Sequence, residues 1–118
     1  MNPQANIAYC IKHCGFVNGL REKRGGWQEW DWGWDTVVGE LIPPSIGDRV
    51  RLLGDVWLPT SDDVLGMLTI RGIRPTLTQT YKGWSAWAFP PDHYCHADDA
   101  ETPLIALLEL LRAVEGKG

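Results

Sequence analysis

Thr102-Pro103-Leu104-Ile105-Ala106-Leu107-Leu108-Glu109-Leu110-Leu111, running on to Gly116, is the most regular stretch of the chain. Thr102 is a good N-cap, Pro103 suits the first helical position and Gly116 closes the pattern. Leu104, Leu107, Leu108, Leu111 and Val114 recur at the spacing of one buried helix face. A helix this apolar needs a partner layer, and the residues before it supply one.

Thr76 to Thr80 and Trp84 to Phe89 read as a β-hairpin around Lys82-Gly83, with β-branched and aromatic flanks, ended by Pro90-Pro91. Asp92 to Glu101 then reads as a loop. Further upstream, Thr60 and Asp63 approximate a capping box for a helix with Val64, Leu65, Met67 and Leu68 on its buried face and Gly72 as its stop. Residues 3 to 15 give another helix, with Ile7, Cys10, Ile11 and Cys14 as its stripe and Gly15 at its end. Gly15 to Gly26 reads as a loop, and its short basic cluster Arg21, Lys23 and Arg24 as solvated.

Trp27 to Val38 alternates with period two, placing Trp30, Trp32 and Trp34 on one side and Asp31, Gly33 and Asp35 on the other. After Pro43-Pro44, Arg49 to Val56 reads as a second strand, with Val50, Leu52 and Val56 facing inward. The order α-β-β-α-β-β-α implies an α+β fold: one domain over residues 1–118, with helices packed on a small antiparallel sheet. A length of 118 residues suits one core, and 44% hydrophobic against 22% charged residues places the chain among ordinary globular proteins. No apolar run reaches the roughly 18 residues of a membrane span and no secretory signal opens the chain, so a cytosolic protein is expected. A net charge of −4 disfavours direct nucleic-acid binding and is weak for phosphate mimicry.

All cysteines and histidines fall in two clusters, Cys10, His13, Cys14 and His93, Cys95, His96. Tetrahedral zinc takes four such ligands, and Cys10, Cys14, His93 and Cys95 would make a structural set tying the first helix to the loop before the last. Neither cluster has a Cys-x-x-Cys knuckle, and a cysteine on an apolar stripe is ordinarily a small buried hydrophobe. The expectation is therefore no cofactor. Cys95 between two histidines could serve as a nucleophile, but no oxyanion-hole glycine motif precedes it. The acid pairs Asp62-Asp63 and Asp98-Asp99 read as helix-start charges. With no phosphate-binding glycine loop, metalloprotease helix or nucleophile elbow, an enzyme is not expected.

Trp57-Leu58-Pro59-Thr60 with Asp63, Leu65, Met67 and Leu68, and later Glu101-Thr102-Pro103-Leu104-Ile105-Ala106-Leu107, resembles small uncharacterised accessory proteins of tailed phages and prophages. The similar region covers residues 55 to 118; a further Trp that such proteins often carry after the final Gly-Lys is missing here. The resemblance implies a phage protein of the bacterial cytosol that binds a host protein, for instance as an anti-CRISPR-like inhibitor of host defence. The residues themselves place the binding face at Trp27, Trp30, Asp31, Trp32, Trp34 and Asp35, as aromatic anchors with an acidic rim suited to a basic protein surface. The same rings would also suit a stacked nucleotide or sugar, with His93 or His96 as a polar contact.

Overall fold

A computed structural model describes residues 3–44, 55–88 and 95–116, with the backbone alone over 95–98. The elements are α1 (Pro3–Lys12), α2 (Cys14–Arg24), β1 (Trp32–Asp35), β2 (Glu40–Ile42), β3 (Val56–Leu58), α3 (Ser61–Ile70), β4 (Thr76–Thr80), β5 (Gly83–Ala88), β6 (Cys95–Ala100) and α4 (Pro103–Gly116). The α+β class holds, with the strands in two antiparallel three-stranded sheets ordered β2-β1-β3 and β4-β5-β6. The chain divides into two compact units, one of Ile7–Pro59 and one of Met1–Asn6 with Thr60–Gly118. Among the described residues, no helix is long and apolar enough to cross a membrane.

In the second unit the local signals act as their chemistry requires. The Thr60 hydroxyl accepts from the Asp63 amide at 3.2 Å, and the Asp63 carboxylate accepts from the Thr60 amide at 2.9 Å. At the other end of α3, Gly72 takes a positive φ, and the amides of Gly72 and Ile73 bond back to the carbonyls of Thr69 and Leu68. Val64, Met67 and Leu68 are buried, but Leu65 is exposed and leaves the expected stripe.

The hairpin of β4 and β5 forms around Tyr81-Lys82, with Thr80 opposite Gly83. A β-carbon on Gly83 would lie 2.6 Å from the Ala100 carbonyl oxygen, so only glycine lets these strands approach. The expected loop from Asp92 to Glu101 instead contains β6 over 95–100. Asp98-Asp99 therefore belongs to a strand, not a helix start. A register shift between Trp84 and Ala86 accommodates an extra residue there, and Asp99 adopts φ 60°.

Thr102 caps α4 by accepting from the Ile105 amide at 3.1 Å, and its hydroxyl donates to Asn6 Oδ1. Ile105, Ala106 and Leu110 are buried along with Leu104, Leu107, Leu108 and Leu111, because α4 packs on β5 and β6 and also on α3. Arg71 joins the ends of α3 and α4 by pairing with Glu115.

In the first unit the expected loop from Gly15 to Gly26 is mostly helix. α1 stops at Lys12, the chain turns at His13, and α2 runs to Arg24 before a left-handed Gly25 ends it. Gly15 lies inside α2. The strand expected over 27 to 38 is confined to 32–35, with a turn before it and the β1–β2 connection after it. Of the strand expected at 49 to 56, residues 49–54 lie outside the described part, and Val56 opens β3.

Candidate functional site

The inner face of the β2-β1-β3 sheet is set by one cross-strand row. Gly33 stands between Ile42 and Trp57, and all three are buried. The missing side chain of Gly33 leaves room for the Trp27 ring, which comes from the turn before β1. Helix α2 covers these rings with guanidinium groups. The Arg21 group lies 4.7 Å from the Trp27 ring centre and that of Arg24 4.5 Å from the Trp57 ring centre.

Arg24 also forks onto both oxygens of the buried Asp31, whose Oδ2 accepts from the Gln28 amide at 2.8 Å. The free edge of β3 is occupied as well. Asn18 Oδ1 accepts from the Trp57 amide at 3.0 Å, and Arg21 donates to the Asp55 carbonyl at 3.3 Å. The supposed solvated basic cluster therefore supplies a buried cation, Arg21, and a half-buried one, Arg24. Of the residues expected on a binding face, Trp27 is half-buried with its ring against Gly33, and Asp31 is buried; a carboxylate held by Arg24 out of solvent cannot form an acidic rim.

The outer face differs. Trp34 and Leu41 are register partners, and Trp32 shares their side of the sheet. Leu41 and Trp32 are exposed, and Trp34 is half-buried. Asp35 organises the connection to β2 rather than a rim, its Oδ1 accepting from the amides of Val37 and Val38 at 2.9 and 3.3 Å. That connection presents Val37 and Val38 at 87% and 60% exposure, and Trp30 in the preceding turn is 62% exposed. Val37, Val38 and Leu41 were not singled out by sequence. The signal was present, since two adjacent valines in a turn contradict the usual polar turn chemistry. Residues 25–44 carry no Lys or Arg, and Glu29 and Glu40 are exposed, Glu40 on the side of β2 opposite Leu41.

The thiol and imidazole groups are dispersed. Cys10 is buried and Cys14 exposed, on either side of the break at His13, so they do not share a face. Burial pushes the Cys10 thiol up to about 12, which makes it a poor nucleophile. The His13 ring stands 4.5 Å from that of Tyr9. Cys95 and His96 lie in β6, in register with Ala88 and Trp87, while His93 falls outside the described residues. No group of three His, Cys, Asp or Glu placed to hold a metal occurs among the described residues.

The chain matches no protein-family model, no curated protein and no solved structure.

Proposed function

We propose that the chain is a non-enzymatic binding protein of phage or prophage origin that engages a bacterial host protein through the outer face of its first unit. The observation that carries the reading is the exposure of Trp32 and Leu41 on this face, with exposed Trp30 before β1 and exposed Val37 and Val38 after it. Five large apolar side chains exposed within residues 30–41 favour a surface that a partner covers. Exposed Glu29 and Glu40 in this segment, with no cation among residues 25–44, favour a partner whose site carries basic residues. The phage provenance rests on the resemblance of residues 55–118, and inhibition of a host defence complex is the activity that provenance suggests.

The test is a pull-down of host proteins with the wild type beside Trp30→Ala and Val37→Asp. A specific partner is retained by the wild type, released as salt rises, and lost from both variants while their melting temperatures stay within about 1 °C. A hot-spot Trp costs at least about 2 kcal/mol of binding when truncated. Retention of the partner by both variants overturns this surface. A rise in melting temperature with a nucleotide or sugar, and no protein partner, would favour the stacked-ligand alternative.

A further inference from the structure

Four strand edges bound the two sheets, and among the described residues three carry a guard. β2 is only three residues long and bears Glu40. The backbone of β3 is met by Asn18 and Arg21. β6 carries exposed Asp99 at a register shift. Charges, shortness, bulges and covering side chains are the devices by which proteins keep sheet edges from pairing. β4 has none of them. Its five residues, Thr76-Leu77-Thr78-Gln79-Thr80, are uncharged, regular and exposed throughout.

The register also shows which backbone groups are open. Thr80 and Gly83 close a two-residue turn and so form a hydrogen-bonded pair. Alternation then makes Thr78 and Thr76 bond to β5 and turns the N–H and C=O of Leu77 and Gln79 toward the open edge.

We propose that this edge is a self-association site, where two copies of the chain pair antiparallel through β4 about a twofold axis at Thr78, joining their sheets into one of six strands. The sequence fits itself in that register. Leu77 of each copy meets Gln79 of the other, so the four open backbone groups of each edge find partners. Thr76 lies opposite Thr80 and Thr78 opposite Thr78, and threonine pairs of this kind stabilise adjacent strands. No strand residue brings a like charge to the axis. Only Arg74 and Lys82, beyond the strand ends, come opposite each other. Both are exposed, so salt screens their repulsion and the dimer tightens with ionic strength, whereas the host-protein contact proposed above weakens.

Sedimentation equilibrium of the full chain from about 10 µM to 1 mM tests the pairing, a range suited to a small interface. The wild type and Thr78→Val should show a monomer–dimer equilibrium. Thr78→Lys and Thr78→Glu should each be monomeric with unchanged melting temperature, because the new charge faces its own copy across the axis, and an equimolar mixture of the two should dimerise again. A wild type that stays monomeric, a dimer that survives Thr78→Lys, or a mixture that fails to associate overturns the proposal.

Discussion

The Trp27 ring lies against Gly33 so closely that a β-carbon there would come within 3.0 Å of it, with the Val56 carbonyl oxygen at 3.4 Å on another side. The ring has little room to retreat, because the Arg21 guanidinium stands over it. A strand glycine usually weakens a sheet, yet here it makes space for the largest side chain of the neighbouring turn.

Gly33→Val should therefore destabilise the first unit by about 1–3 kcal/mol, the ordinary cost of overfilling a packed site. Urea unfolding measures the loss. Tryptophan emission of the folded variant should shift to the red as Trp27 is displaced.

Asp31→Ala removes the carboxylate that holds Arg24 and the Gln28 amide. Leaving that guanidinium without its anion should cost about 3 kcal/mol, as for other broken buried pairs. Asp31→Asn, which keeps an acceptor, should lose less. Equal losses in the two variants would show that charge is what matters at this position.

The two thiols that are described should differ in reactivity. Cys14 should react with a thiol reagent in the native state at pH 8, and Cys10 only after unfolding. Burial raises the Cys10 thiol from 9.0 to about 12, so above pH 9 the unfolded chain releases a proton that the folded chain keeps. Stability contributed by this group is complete below pH 9 and declines as pH rises toward 12. A Cys10→Ala variant should show a shallower decline over that window.

Leu108→Ala should cost about 2–5 kcal/mol because α4 is enclosed by the sheet and α3. Leu65→Ala, on the exposed side of α3, should change stability by about half a kcal/mol or less. Denaturant midpoints of the two variants compare them directly.

What could be read from the residues was the local chemistry. The capping box of Thr60 and Asp63, the Thr102-Pro103 helix start and the β4–β5 hairpin each depend on neighbours in sequence, and each forms, the hairpin with its turn at Tyr81-Lys82 rather than at Lys82-Gly83. α2 escaped notice because the side chains that dock it on β3 include Asn18 and Arg21, which leave no apolar period to detect. β6 escaped because Cys-His-Ala-Asp-Asp-Ala has little strand propensity and is held by its place beside β5. For the tryptophans, the period of two was visible but not the side that faces inward. That choice was made by Gly33, which admits Trp27 to one face and leaves Trp32 on the other. Long-range fit of this kind has no local signature.

The hydrogen bond from Thr102 to Asn6 spans 96 residues, and residues 7–59 between these partners form a compact unit of their own. On the ribosome this orders assembly. The first unit is contiguous and can close once residue 59 has left the exit tunnel, before α4 is made. Asn6 must wait until Thr102 appears, because loops are closed only by chain that already exists. The second unit can thus complete itself only after Thr102 has left the exit tunnel, and a ribosome stalled between the emergence of residue 59 and that of Thr102 would hold a nascent chain with its first unit able to fold and its second still open.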